Sequence, residues 1–145
     1  MELKRLNDII KDRILVLDGA TGTMIQGFHL SESDFRGQRF AGLPGQMKGN
    51  NDMLCLTRPD VVEEIHRRYL KAGADIISTN TFSSQRVSQA DYHLEEYACE
   101  MAYQGARIAR QCADEFSSSE KPRFVAGSIG PTNKTCSMSP DWSGI

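Results

Sequence analysis

Three short apolar runs in this sequence each break off in residues able to hold a ligand. "ILVL" leads into Asp18, Gly19, Ala20 and Thr21; "ADIIS" into Thr79, Asn80 and Thr81; "RFVAG" into Ser128, Gly130, Pro131, Thr132 and Asn133. The first turn, "DGATGT", has the glycines of a phosphate loop without the GxGxxG order and without a following GK[ST]. Neither a dinucleotide nor a nucleoside triphosphate is indicated. A carboxylate at that position would also repel phosphate. Asp18 suits an ammonium group instead, and the backbone amides of Gly19 and Ala20 can donate to a carboxylate. Those are the two halves of an amino-acid zwitterion. Gly, Asn, Thr and Pro also make turns for local reasons, so one such turn carries little; three, each closing an apolar run, point to one shared face.

Other reactive side chains are scattered. Cys55, Cys99, Cys112 and Cys136 stand 44, 13 and 24 residues apart, which makes no CxxC pair and no zinc spacing with histidine. They read as buried thiols. His29, His66 and His93 form no group either, and His66, inside a charged helical stretch, reads as solvated. No metal ligand and no catalytic nucleophile is assigned.

The elements that must position the strand ends follow from hydrophobic period and punctuation. Leu3, Leu6 and Ile10 lie at helical spacing, a short amphipathic helix to close one end of a core. "RILVLDG" reads as a strand buried on both faces, since its apolar run is unbroken. Residues 27–52 hold five glycines and a proline and read as a long excursion with little regular structure, either a surface loop or a cover over the strand ends. "TRPDVVEEIHRRYLKAG" has Thr57 as a cap, Pro59 in the first turn, Gly73 at the end and a stripe of Val61, Ile65, Tyr69 and Ala72. "ADIISTNTF" is a second strand. From Leu94 to Ala113 the stripe Leu94, Tyr97, Ala98, Met101, Ala102, Gly105, Ala109 and Cys112 marks a helix, with Gly105 placed for a close approach to a sheet. "RFVAGSIGPTN" is a third strand.

Helix and strand thus alternate, the order of a parallel sheet covered by helices. Ligands in such folds gather at the carboxyl ends of the strands. Three strands suit either a small open α/β sheet or the first part of a closed barrel, which takes roughly 250 residues.

The 145 residues carry a net charge of −2, with 39% apolar and 25% charged side chains, the composition of a globular domain. No basic stripe suggests nucleic acid, and no apolar run approaches the roughly 20 residues that cross a bilayer. The charged start "MELKRLNDIIKDR" lacks a secretory signal's apolar stretch. A cytoplasmic protein, with neither nucleic acid nor membrane as partner, is expected.

Four segments, "VLDGATGTMIQ", "KGNNDMLCLTRPDVVEEIHRRYLKAGADIISTNTFSS", "ADYHLEEYACEMAYQGARIAR" and "RFVAGSIGPTNKTCSMSPD", resemble in order and spacing the start of the homocysteine S-methyltransferase domain, from about residue 3 to Asp141. "KGNNDMLCLTRPD" and "SMSPD" are more narrowly similar to its cobalamin-dependent, methionine-forming branch. The resemblance implies a (βα)8 TIM barrel of which residues 1–145 hold the first three βα units, the remainder being absent. It implies homocysteine as substrate, a zinc ion held by three cysteines late in the barrel, and a methyl group delivered by cobalamin that a folate module recharges. None of the four cysteines here occupies those ligand positions. The same resemblance places Asp18 on the substrate's amino group, the Gly19 and Ala20 amides on its carboxylate, Thr79 and Asn80 on the rim, and Gly130 and Pro131 in the pocket wall. Ser78 stands where many relatives carry Glu, and "DWSGI" departs from the family's usual continuation. The chain by itself is expected to be inactive and, with barrel faces uncovered, to self-associate. Two alternatives stay open: a cobalamin-independent thiol methyltransferase using a sulfonium or betaine donor, and a non-catalytic module binding an amino acid or a partner.

Overall fold

Start and stop signals shape a chain whose computed structural model describes residues 2–134. Leu3's side chain, Cys136 and "DWSGI" lie outside the described residues and side chains. The order is α1 (Glu2–Asp12), α2 (Thr21–Gln26), α3 (Glu32–Arg36), α4 (Leu54–Thr57), α5 (Pro59–Ala72), β1 (Ile76–Ser78), α6 (Arg86–Gln89), α7 (Ala98–Phe116) and β2 (Phe124–Ala126), with a 3-10 turn at Asn51–Met53. β1 and β2 pair in parallel, Ile77 opposite Val125. The segment before Asp18 joins β1 through a single parallel bridge, Leu17 to Ile76.

That first extended segment departs from expectation. Ile14 is 88% exposed and Leu17 56%, so the apolar run is not buried on both faces. It has β1 on one edge, and among the described residues nothing pairs with its other edge or covers it. Asp75 holds its start: the carboxylate accepts from Val16 N at 2.9 Å and takes Arg13 in a two-pronged pair at 2.9 and 2.7 Å. The Asp75 amide also donates to Val16 O at 2.8 Å, and Asp75 O accepts from Phe124 N at 2.8 Å. One residue therefore links all three extended segments. Leu6 and Ile10 of α1 line a cavity together with Ile14, Leu15 and Ile76, and Ile10 remains exposed.

α5 and α7 pack on each other and on β1. Gly105 is the contact that allows this: a Cβ there would come within 2.5 Å of Thr81 Cγ2, so only glycine lets α7 approach the strand end. Thr57 does not cap α5. It closes α4, its hydroxyl donating to Met53 O at 3.3 Å, and Arg58 takes the cap position with its guanidinium on Asp60 and Asp34. α5 buries Val61, Val62, Ile65, His66 and Leu70, while Tyr69 is half-buried and Ala72 exposed. The stripe is wider and rotated because α2, α4 and α7 all press on α5. Gly73 ends it in the left-handed region, φ +113°, as the sequence predicts.

The excursion 27–52 is no loose surface loop. It contributes Leu30, Phe35, Phe40 and Met47 to the core and contains α3, which Ser31 opens with a capping box to Asp34. Glu32 accepts from Met47 N at 2.8 Å and Lys48 N at 2.7 Å, folding the segment back on itself. Arg39 then clamps it to α7 through both oxygens of Glu100, at 2.7 and 2.8 Å.

His66 corrects a second expectation. It is fully buried, and among the described residues both ring nitrogens lack a partner. Desolvation alone pulls its pKa down to about 4, so it is a neutral core group. Cys55 and Cys112 are buried as expected, whereas Cys99 is exposed.

Two acid effects follow. Asp75 is held down to about 2, chiefly by its Arg13 hydrogen bonds, against about 3.9 when unfolded. Its contribution, about 2 kcal/mol, is present above pH 4 and is lost as pH falls toward 2; Asp75→Asn should lower stability at neutral pH and flatten this acid limb in urea unfolding. His66 works over a higher window. The unfolded imidazole takes a proton near pH 6.5 and the folded one only near 4, so stability should decline as pH falls from 6.5 to 4, and His66→Phe should remove that slope.

Candidate functional site

The carboxyl ends of the extended segments converge, as their polar residues require. Asp18 N donates to Ile76 O at 2.9 Å, which brings the Asp18 side chain beside Ser78. Ser78 donates to Asp18 twice, from its amide at 2.8 Å and its hydroxyl at 3.0 Å. Partial burial pushes the Asp18 pKa up, and these two donors oppose the shift. A serine at position 78 therefore has a local reason: a glutamate there would set a second negative charge against Asp18 and offer no side-chain donor.

Beyond Asp18 the chain turns directly into α2. Ala20 takes the cap position without a side-chain cap, and the Gly19 and Ala20 amides donate to nothing among the described residues. Tyr69 lies close to Gly19, its hydroxyl 3.2 Å from where a Cβ would stand.

The other two strand ends are laced together by hydroxyls. Thr79 Oγ1 and Thr81 Oγ1 are 2.6 Å apart; Ser128 N donates to Thr79 Oγ1 at 2.9 Å, and Thr81 Oγ1 donates to Ser128 O at 2.8 Å. Asn80 Nδ2 donates to Asn51 O at 2.8 Å, which ties the strand end to the 3-10 turn. These contacts surround a cavity of about 360 Å³. Ser78, Thr79, Asn80 and Ser128 line it together with Asn51, Asp52, Ser83 and Tyr92.

The family of homocysteine S-methyltransferases matches this chain over residues 15–144. The chain belongs to that family. Two crystal structures of the homocysteine methyltransferase MmuM from Escherichia coli share the fold. The metallated form matches at 20% identity with a TM-score of 0.66, over 87% of this chain and 41% of that one. The oxidised form matches at 21% with a TM-score of 0.67, over 87% and 40%. The chain thus spans about two-fifths of these proteins.

Within the family member described here, the residues singled out from sequence separate into three groups. Thr79 and Asn80 line the cavity. Asp18, Gly19 and Ala20 sit at its edge, joined to it through Ser78 and Thr21, which do line it. Gly130 and Pro131 are displaced: Gly130 N donates to Phe82 O at 3.0 Å, and a Cβ there would collide with that carbonyl. Gly130 lines a neighbouring cavity of about 250 Å³ that shares Thr79, Phe82 and Ser128 with the first, and Pro131 O accepts from Gln85.

Sequence reading missed Asp52. It lies in "GNND", an acidic residue after a glycine and two asparagines and just before the apolar "MLCL", and that oddity was the available signal. Burial raises Cys55 to about 12 and Cys112 to about 11, which keeps both as protonated core thiols, and among the described residues no three His, Cys, Asp or Glu side chains stand together to hold an ion. Nor, among those residues, is any helix long and apolar enough to cross a membrane.

Ser78→Ala removes the hydroxyl, one of the two Ser78 donors to the Asp18 carboxylate, while leaving the backbone amide. The Asp18 carboxyl should titrate at a still higher pH than in the unaltered chain, read by carboxyl carbon NMR; an unchanged or lower titration point would show that the hydroxyl does not stabilise the anion.

Proposed function

We propose that this chain is the amino-terminal portion of a cobalamin-dependent methionine synthase, carrying part of the homocysteine site. The observation that carries the reading is the family match over residues 15–144 together with a polar cavity at the carboxyl ends of parallel strands. In this reading residues 1–145 are the first three βα units of a (βα)8 barrel whose other units lie beyond the chain. A span of about two-fifths of the similar solved proteins supports it, and so does the uncovered outer edge of the first extended segment.

Asp18 receives the substrate's ammonium group, and the Gly19 and Ala20 amides receive its carboxylate. Thr79 and Asn80 form the rim, with Gly130 and Pro131 as an outer wall. Among the described residues no three His, Cys, Asp or Glu side chains stand together to hold an ion, and in this reading the zinc that would activate the thiol is held by later parts of the whole protein. What these residues do is bind and orient the amino-acid end of homocysteine. The cobalamin assignment rests on the "KGNNDMLCLTRPD" and "SMSPD" stretches, and the folate and cobalamin modules would be further parts of the whole protein. The uncovered apolar edge makes self-association of the isolated chain the expected behaviour.

Purified chain supplied with zinc, homocysteine and methylcobalamin should form no methionine above the spontaneous rate, while calorimetry shows homocysteine binding that is indifferent to zinc. Methionine formation, or binding that requires zinc, would overturn the reading.

A further inference from the structure

The 3-10 turn Asn51–Met53 carries a carboxylate whose hydrogen bonding is lopsided. Asp52 is only 4% exposed, and a carboxylate so buried is ordinarily paired with a cation. Among the described residues it has none. Its donors are Ser83 N at 2.7 Å and Ser84 Oγ at 2.8 Å, and both go to Oδ2. Oδ1 accepts from no described group, yet it is not among the buried polar atoms sealed away without a partner. Asp52 lines the 360 Å³ cavity, and no Lys, Arg or His side chain lines it. Capping the 83–84 turn occupies Oδ2 and leaves Oδ1 accessible and able to accept from a bound ligand.

The carboxylate is also held rigidly. Asn50 and Gln89, both buried, exchange hydrogen bonds at 2.7 and 3.2 Å, and Gln89 Nε2 donates to Ser83 O at 3.0 Å. These bonds lock the turn that bears Asp52 to the loop that donates to it. Asn80 adds the bond to Asn51 O, so Oδ1 is fixed relative to the strand ends. Ser78 lines the same cavity while donating to Asp18. One cavity is therefore flanked by two carboxylates and neutral polar groups, an environment that favours a cation with several donors.

We infer that Asp52 is a second carboxylate acceptor for the substrate's ammonium group, its Oδ1 opening on the cavity that Asp18 borders through Ser78. This rests on the amino-acid-binding reading above and makes Asp52 a specificity-determining residue for it. An ammonium has three donors, enough for both carboxylates. A ligand without that group gains nothing from Asp52.

The test uses the 145-residue chain with two probes, L-homocysteine and 4-mercaptobutanoate, which lacks the amino group. The amides of Ser83 and Ser78 report separately on Asp52 and Asp18, because each donates to one of them. Homocysteine should shift both amide resonances, and 4-mercaptobutanoate should leave the Ser83 amide in place. Asp52→Asn keeps an acceptor for Ser83 and Ser84 and should weaken homocysteine binding by about ten- to a hundredfold, with 4-mercaptobutanoate binding unchanged. A homocysteine-induced shift at Ser78 alone overturns the inference and leaves the amino-acid reading standing. No response to either probe at either amide overturns both. The amide readout in the unaltered chain decides the matter even if Asp52→Asn fails to fold.

Discussion

Carboxylates at both ends of one extended segment hold the site together. The segment before α2 is joined to β1 by a single bridge, too little to fix a strand that is exposed along its outer edge. Asp75 takes hold of its start through Arg13 and Val16, and Asp18 takes hold of its end through Ser78. The two interactions run in opposite directions. At the start, the carboxylate just before β1 reaches across to the segment; at the end, the segment's carboxylate reaches across to β1. Between them they set where Gly19 and Ala20 leave the sheet, and hence where two undonated amides stand.

The rest of the site is built by a different device. Buried amides and hydroxyls, among them Asn50, Gln89, Asn80 and Thr79, satisfy one another across the strand ends and bind the excursion to them. Such networks are rigid when every member has a partner, because in a low-dielectric interior an unpaired polar group is costly. Asp52 is a member whose pairing is incomplete, and burial pushes its pKa up. The mutual packing of α5 and α7, with Gly105 pressed on Thr81, supplies the apolar floor beneath this layer.

Where reading the sequence went astray, the reason is the same each time: burial depends on neighbours that periodicity does not name. The unbroken apolar run at residues 14–17 implies two covered faces, and the described chain covers it only in part. His66 looks solvated because Arg67 and Arg68 adjoin it, yet a helix pressed by three others has little room for a wet face. The excursion looks like loop because its glycines and polar residues dominate the pattern, while four large apolar side chains, spaced without a period, go into the core. Thr57 and Arg58 exchange roles because a short helix unforeseen in the sequence ends where the next begins.

Residue types and their spacing determined the alternation of helix and strand, the parallel arrangement, the helix ends at Pro59 and Gly73, and the gathering of small polar residues at the strand ends. These are local matters, set by period, caps and turn chemistry within a few residues of one another. Tertiary structure alone decided which of those residues share a cavity. It brought Asp52, on a 3-10 turn apart from all three strand ends in the chain, to Ser83 and Ser84, and it turned Gly130 toward Phe82. Such pairings are made by hydrogen bonds between groups some 30 or more residues apart, and nothing in the local pattern of either partner specifies the other.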